Sequence, residues 1–587
     1  MEGKKEFEIK KEESEEKKVE KTEDESSKVF DPNFNPWSIN ENLTIDYMKL
    51  VTKFGTELLD QELLERFKKI TGRDLHPWLR RGIFFTHREF NKFLDAYENG
   101  EPVFLYTGRG PSSDAMHLGH LIPFMFTKWL QDVFDCPLMI QISDEEKAAF
   151  KKIDFNLLYK MGFENAKEII ACGFKKDKTF IFSNRDYRLN CQTYETFVSD
   201  MKMKVPLKTL KDIFGLDEDA SIAMIDWPIY QTAAAFYQAY PHIFGNRPAY
   251  CLVPYAIDQD PYFRLARDIA TKMNLIKPAS IMCTFIPPLT GNAGKMSSSV
   301  GTDATLFLTD SEEILKEKIQ KHYFSGGGGN GTLEDHKKFG GNPDVDIAYQ
   351  YMRYFEEDDQ KLQEIQDAFK KGELTCGELK LLLVNKLAPL YQKLQTSRTL
   401  VTQEILDDFY KYKPMELPKP KEKPKEEAEI KLYEFFENLK IDYRTKYHAQ
   451  ITTNDQAQDL ARSLEGTIGK VLLLKGPKDA YYLYVINSST VVNVKTLHKR
   501  LEVQKISFGQ RDTFTQIMKI PITVPSLFGI MNDKEKTISM VIVEEGIARD
   551  KPVSFNPMRP DATTTISYED MMKYIEHHKY PIKYVKE

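Results

Sequence analysis

Two histidines and a lysine carry the chemistry that this sequence offers first. His117 and His120 close the stretch Phe104-Leu-Tyr-Thr-Gly-Arg-Gly-Pro-Ser-Ser-Asp-Ala-Met-His-Leu-Gly-His120. Its apolar run, 102–106, breaks at Gly108-Arg109-Gly110-Pro111, and Ser112, Ser113 and Asp114 are candidate caps for a following helix. On that helix the two histidines, at i and i+3, share one face about one turn from its start. A strand, a glycine turn and a helix N-terminus together present free backbone N–H groups to phosphate, so the pair is predicted to hold a nucleoside triphosphate. Lys295 lies downstream in Gly294-Lys-Met-Ser-Ser-Ser299. A lysine among small hydroxyl residues on a glycine-bounded loop suits a transition state whose negative charge grows on a departing pyrophosphate. Either motif alone is weak; in this order, on an alternating pattern, the two reinforce each other. The histidines read as a metal pair would lack a third ligand nearby, and no metal is expected. Read as helix-surface residues, they would leave the lysine loop unexplained.

The elements that must position these groups follow from periodicity. Between about 101 and 310, apolar runs (102–106, 137–142, 178–183, 249–257 and 279–286) alternate with longer helical stretches. This predicts βαβ units and a doubly wound parallel α/β sheet covered on both faces. Ligands of such sheets bind beyond the carboxyl ends of the strands, where Arg109, Asp144-Glu145-Glu146 and Asp258-Gln259-Asp260 fall. Residues 31–100 read as an ordered extension of the same domain, in which Arg80-Arg81 suits either a ligand contact or a structural ion pair. The glycine clusters in 324–341 lack the Lys-Ser/Thr of a P-loop and predict a flexible loop. The expected organisation is a charged disordered tail (1–30), a catalytic α/β domain (31–310), a helical domain (311–410), a Pro/Lys linker (411–427) and a separate α+β domain (428–587).

Composition narrows the class. The chain has 587 residues, 41% hydrophobic and 29% charged, with a formal net charge of -6. That balance is ordinary for a soluble protein and gives no global attraction to nucleic acid. The six cysteines form no CxxC pair, against a zinc cluster or a disulfide framework. Neither a membrane-spanning run nor an apolar signal core is evident, so a cytoplasmic location without membrane association is expected.

Beyond these readings, residues 31–410 resemble the class I aminoacyl-tRNA synthetases, specifically the eukaryotic-type tryptophanyl enzymes. The resemblance rests on Leu79-Arg-Arg-Gly-Ile-Phe-Phe85, the stretch 104–120, Lys128-Trp-Leu-Gln-Asp-Val-Phe134, Ala171-Cys-Gly-Phe174, Ala256-Ile-Asp-Gln-Asp-Pro-Tyr-Phe-Arg264, Lys295-Met-Ser-Ser-Ser299 and Phe339-Gly-Gly-Asn342. It implies a Rossmann-type catalytic domain, a helical anticodon-binding domain and a homodimer. It also implies ATP with Mg²⁺, L-tryptophan and tRNA-Trp as reaction partners. By resemblance, Tyr106 and Gln141 take the indole N–H, and Glu146, Gln231 and Gln259 take the amino and carboxylate groups. Thr107, Gly108, Arg109, His117, Gly119, His120, Lys295, Met296 and Ser297 form the ATP site, with His117, His120, Lys295 and Ser297 as its catalytic groups. Ser299-Val300 stands where the general class signature has a second lysine. The nearest rival is the tyrosine enzyme, which would need an acidic partner for a phenol. A non-charging synthetase-like binding protein is the rival from another class; intact Arg109, His117, His120 and Lys295 argue against it.

Residues 428–587 resemble a second family, the YbaK-type or prolyl-synthetase-associated deacylase domains. The matching pieces are His448 with Thr452, Gly469-Lys-Val-Leu-Leu-Leu474, Val492-Asn-Val-Lys495, Ser526-Leu-Phe-Gly-Ile-Met-Asn-Asp533 and Phe555-Asn-Pro-Met-Arg-Pro-Asp-Ala-Thr-Thr564. Lys470 falls where that family keeps its functional lysine. Ile522 replaces a family glycine and Asn556 the histidine of a His-Pro pair. A β-branched residue where backbone must approach the substrate, and the lost imidazole, favour a tRNA-binding domain, including other tRNAs, or a vestigial one over an active site for hydrolysis of mischarged tRNA; these readings stay open from sequence.

Overall fold

The computed structural model of the protein describes residues 46–291, 296, 305–328, 332–417, 425–448, 451, 454–503, 505–521 and 523–585. The tail 1–30, Lys295, Ser297, Thr452, Ile522 and residues 418–424 of the linker lie outside the described residues. The chain divides into two compact units. The first holds the described residues up to Leu94 and Pro102–Leu417; the second holds Asp95–Glu101 and the described residues beyond Leu417.

The first unit is built on strands β1 (Glu57–Leu58), β2 (Phe84–Arg88), β3 (Val103–Arg109), β4 (Leu138–Ile142), β5 (Thr179–Ser183), β6 (Tyr250–Ala256) and β7 (Ala279–Cys283), in the order β1-β2-β7-β6-β3-β4-β5. From β7 to β5 every pairing is parallel. These strands are the predicted apolar runs, and a run without alternation is what a strand buried on both faces requires. The sheet is mixed rather than purely parallel, because β2 pairs antiparallel with β7 and β1 with β2. Those two strands come from the extension before residue 100.

Two local expectations fail at the opening stretch. β3 does not break after Tyr106 but runs on through Thr107, Gly108 and Arg109, since β4 continues beside it with Gly108 opposite Gln141 and Arg109 opposite Ile142. Helix α1 (Leu118–Phe134) starts four residues after Asp114, with His117 at its cap position, so Ser112, Ser113 and Asp114 cap nothing there. The glycine clusters also differ from a loose loop. A Cβ on Gly341 would lie 2.3 Å from the Phe369 ring and one on Gly328 2.2 Å from the Gly340 carbonyl oxygen, so glycine here permits tight packing.

Three further helices carry or follow site residues. α2 (Phe155–Ala171) lies against the sheet through Gly162, whose missing Cβ would meet Ile142 at 2.8 Å. α3 (Ile222–Ala233) carries Gln231, and α4 (Asp260–Met273) follows Gln259. Helices α5 (Ile347–Phe355), α6 (Cys376–Thr399) and α7 (Gln403–Tyr410) are among the other helices of the unit. Arg80 and Arg81 serve structure: their guanidinium groups donate to Asp359 at 2.7 Å each, and Arg81 also donates to the Arg353 carbonyl at 2.8 Å.

The second unit carries β8 (Tyr443–Tyr447), β9 (Thr467–Lys475), β10 (Tyr481–Asn487), β11 (Ser507–Phe508), β12 (Ile538–Glu544), β13 (Val553–Phe555), β14 (Ala562–Ile566) and β15 (Ile582–Val585). Their order is β15-β12-β10-β9-β13-β14-β8, with β11 paired to β9. Leu432, Phe436, Val471, Leu483, Phe528 and Tyr574 lie in its own apolar core. Among the described residues, no helix is long and apolar enough to cross a membrane.

A buried ion pair ties the extension to the start of α4. Arg88, on β2, donates from Nε and Nη2 to the two carboxylate oxygens of Asp260, both at 2.9 Å, and to the Phe54 and Gly55 carbonyls at 2.6 and 3.1 Å. Asp260 is fully buried. Breaking one side of such a pair strands a charge. Arg88→Leu is therefore expected to lower the stability of the first unit by about 3–5 kcal/mol in denaturant titration; a loss below about 1 kcal/mol would contradict a structural role.

Candidate functional site

β3 has β6 on one side and β4 on the other, and a cavity of about 270 Å³ opens beyond their carboxyl ends. This is the topological switch point at which open α/β sheets take ligands. Tyr106, Thr107, Gly108, Arg109, His117, Gly119, His120, Gln141, Glu146, Gln231, Gln259 and Met296 all line it. Every predicted first-unit site residue that is described thus borders one space.

At one end, Tyr106 and Gln141 face each other across the β3–β4 pair. The Tyr106 hydroxyl donates to Gln141 Oε1 at 2.7 Å, and it also lies 3.3 Å from the Gln231 carbonyl oxygen. Complete burial pushes the Tyr106 phenol well above its ordinary range, so it remains an un-ionised hydroxyl. The Gln141 amide N–H₂ is turned away, toward Asn184 Oδ1 at 2.9 Å and the Tyr230 carbonyl at 3.4 Å. What this end offers a ligand is therefore acceptor oxygen, matched to an N–H donor.

The middle of the cavity is polar. Gln231 Nε2 donates to Gln259 Oε1 at 3.3 Å. Glu146 lies beneath Gly110, where an added Cβ would stand 2.3 Å from Glu146 Oε2 and displace the carboxylate from this position. Burial opposes ionisation of Glu146, but the Lys147 ammonium, the Arg109 guanidinium and the Ser143 hydroxyl outweigh it. The carboxyl is held below its usual range and can meet an ammonium group as an anion.

The far end is organised on Arg109, the last residue of β3. Its Nε donates to Asn165 Oδ1 at 2.9 Å and its Nη1 lies 3.0 Å from His120 Nε2, while the buried Nη2 has no hydrogen-bond partner among the described residues. Guanidinium only donates, so His120 Nε2 accepts and its ring proton sits on Nδ1. The 3.4 Å contact from the His117 N–H to that Nδ1 is then no hydrogen bond. The two imidazoles stack, centroids 3.5 Å apart, with His117 at the cap and His120 inside the first turn rather than both a turn further on. Burial brings the Arg109 guanidinium down to about 10, against the pull of Glu168 and Glu146, so it remains a cation at neutral pH. A buried cation with an unused N–H suits an anionic ligand group.

The turn that carries His117 is clamped by the segment after the lysine loop. Leu118 N–H donates to the Leu306 carbonyl at 2.9 Å, and Leu308 N–H to that of Met116 at 2.8 Å. Met296, next to Lys295, is buried in the cavity wall. Sequence reasoning missed Asn165 and Glu168, which reach the site from α2. Their only signal is an i, i+3 spacing of polar residues on a largely apolar helix, a pattern common on any helix. Asn184, just after β5, was missed for the same reason.

In the second unit, Lys470 lies half-buried on β9, opposite Ile486. Asn556 follows β13, the parallel neighbour of β9. Its Oδ1 accepts from Thr563 Oγ1 at 3.4 Å, and Thr563 Oγ1 lies 2.9 Å from Nε2 of the buried His448. The structure thus brings His448 into the polar group around Asn556.

Comparison with known proteins agrees with this geometry. The family model for class I tRNA synthetases (W and Y) matches residues 98–392, and the model for the aminoacyl-tRNA editing domain matches residues 448–574. The cytoplasmic tryptophan–tRNA ligase of Oryctolagus cuniculus is 47% identical over 378 residues, 64% of this chain and 79% of the relative. That of Saccharomyces cerevisiae is 45% identical over 395 residues, 65% of this chain and 90% of the relative. The crystal structure of Plasmodium falciparum tryptophanyl-tRNA synthetase is similar with a TM-score of 0.58 at 41% identity, covering 63% of this chain and 95% of that one.

Glu168 supplies a test of the electrostatics. Burial pushes its carboxyl up to about 7, although the Met116 N–H, Arg398 and Arg109 pull it down. A raised folded-state value stabilises the fold while the group is protonated, and that contribution is lost as pH rises through about 7. Glu168→Gln mimics the protonated form. Its melting temperature is expected to match the native protein near pH 4.5, to exceed it increasingly up to about pH 7, and to keep a constant lead above that. A lead that does not change with pH would contradict the assignment.

Proposed function

The chain belongs to the class I tRNA synthetases of the tryptophan and tyrosine branch, and from that premise we propose that it is a tryptophan–tRNA ligase. The observation that carries the choice of amino acid is the Tyr106–Gln141 pair, two acceptor oxygens at the end of the cavity opposite Arg109. A buried indole N–H satisfies such a pair, and a side chain without a donor leaves it unpaired at a cost in discrimination. No carboxylate contacts the Tyr106 hydroxyl among the described residues, as a site for a phenol would require.

In this reading the tryptophan ammonium meets Glu146, and its carboxylate is oriented by Gln231 and Gln259. The carboxylate oxygen attacks the α-phosphorus of ATP. The new O–P bond forms as the bond to the bridging oxygen breaks, and pyrophosphate leaves with that electron pair. The nucleophile is already ionised, so no general base is needed, and positioning plus charge stabilisation supply the catalysis. Arg109, His117, His120 and the backbone at Thr107, Gly108 and Gly119 hold the nucleotide. Lys295 and Ser297, with Met296, meet the departing charge. In the second step a terminal ribose hydroxyl of tRNA-Trp takes the acyl group and AMP leaves. Among the described residues, no group of three or more His, Cys, Asp or Glu is placed to hold a metal. Mg²⁺ enters this reading with the ATP phosphates, which it binds through oxygen.

The second unit is read as a tRNA-binding domain of the editing type. Asn556 in place of the His-Pro histidine, and Ile522 in place of glycine, favour holding tRNA over hydrolysing it. A homodimer in the cytosol completes the proposal, in line with the cytoplasmic designation of the relatives.

ATP–pyrophosphate exchange tests the reading. Tryptophan should drive exchange and tyrosine should not; exchange with tyrosine alone would overturn it. Lys295→Ala should slow adenylate formation by about 100-fold or more while tryptophan binding stays nearly unchanged. An equal loss of both would remove the role given to Lys295. For the second unit, incubation with Ala-, Ser- and Cys-charged tRNAs should give no hydrolysis above the uncatalysed rate. Hydrolysis abolished by Lys470→Ala would show an editing enzyme.

A further inference from the structure

Side-chain amides are nearly symmetric in shape, so Gln141 could present either its oxygen or its N–H₂ to the cavity. Something must fix its sense, because an inverted amide would face an indole N–H with a second donor. The Tyr230 carbonyl, 3.4 Å from Gln141 Nε2, contributes a long contact, and the shorter-range choice is made two groups away. The Glu145 side chain offers oxygen acceptors, and one of them accepts from Asn184 Nδ2. That leaves Asn184 Oδ1 to accept from Gln141 Nε2 at 2.9 Å and from the Tyr194 hydroxyl at 3.1 Å. Gln141 Oε1 is thereby turned to Tyr106. At the outer end Arg188 Nη1, a pure donor, holds the other Glu145 oxygen at 2.9 Å.

We propose that Asn184 and Glu145 are positioning residues that fix the sense of the Gln141 amide, and that this relay sets the pocket's demand for an N–H donor. Neither reaches the amino acid as this arrangement is drawn. Their influence is on which ligand is accepted. Asn184 is fully buried and Gln141 nearly so, so neither amide can borrow water to tolerate the wrong sense. The inference rests on the tryptophan reading of the cavity.

The test uses the full-length protein and pyrophosphate exchange with two substrates, tryptophan and 3-(benzothien-3-yl)alanine, which keeps the bicyclic shape but replaces the N–H by sulfur. The readout is the ratio of their kcat/KM values. The native protein should favour tryptophan by about 100-fold or more. Asn184→Ala and the near-isosteric Glu145→Gln should each reduce the ratio, by about tenfold and several-fold respectively, through tryptophan and not through the analogue. The double variant Asn184→Asp with Glu145→Gln moves the acceptor-only group one place along the relay but keeps its sense. It should restore the ratio to within about threefold of native. A ratio unchanged in Glu145→Gln, parallel loss of both substrates in the single variants, or a double variant no better than the singles would overturn the proposal. If the native protein itself fails to favour tryptophan, the tryptophan reading falls and takes this premise with it. A native preference that survives every variant overturns the relay alone.

Discussion

Polar groups buried at the carboxyl ends of β3 and β4 have no water to turn to, and most of the first unit follows from how they are paired. Leaving such a group unpaired costs about 1–3 kcal/mol, so each one recruits a partner from a neighbouring element. Tyr106 finds Gln141 because Gly108, two residues on, stands in register with it. Gln141 finds Asn184 at the end of β5, and Arg109 finds Asn165 on α2 and His120 on α1. The polar groups left open toward the cavity are acceptors at one end and a cationic donor at the other. That asymmetry gives the cavity a direction, and the direction matches an amino acid with an aromatic N–H laid head-first against a nucleoside triphosphate.

The sheet around this line was legible in the sequence because its strands are buried on both faces. Such strands appear as unbroken apolar runs, and the five parallel ones coincide with the runs marked from pattern alone. What stayed hidden depends on partners distant in sequence. Thr107, Gly108 and Arg109 look like a turn, yet they remain in β3 because β4 continues beside them. His117 occupies a cap position that local rules assign to Ser, Thr or Asp. Phe84 and Phe85 belong to an antiparallel edge of the sheet that no short window would join to β7. The glycine clusters read as slack, yet Gly328, Gly340 and Gly341 are closely packed, against the Gly340 carbonyl, the Lys370 carbonyl and the Phe369 ring. The described site residues that fall in motifs line one cavity; Asn165, Glu168 and Asn184, single polar residues within or beside helices, could not be singled out before the fold placed them.

The second unit reverses the balance. Its fold is carried by a core of its own, and its polar group is the place where chemistry departs from the family pattern. Asn556 stands where an imidazole is expected, but His448 lies one hydroxyl away through Thr563. An amide that only orients, beside a buried histidine already engaged with that hydroxyl, suits recognition better than proton transfer. In the proposed reading the first unit charges the tRNA, and the second, matched by the editing-domain family over residues 448–574, binds tRNA rather than hydrolysing it.

The central claim is the direction of the cavity, and a crystal structure with a non-hydrolysable tryptophanyl-adenylate analogue tests it most directly. The indole nitrogen is expected within hydrogen-bond distance of Tyr106 Oη or Gln141 Oε1, the ammonium beside Glu146, and the phosphate oxygen on Arg109 Nη2 near His117. An analogue bound with its indole away from Tyr106 and Gln141, or with its phosphate away from Arg109, would contradict it.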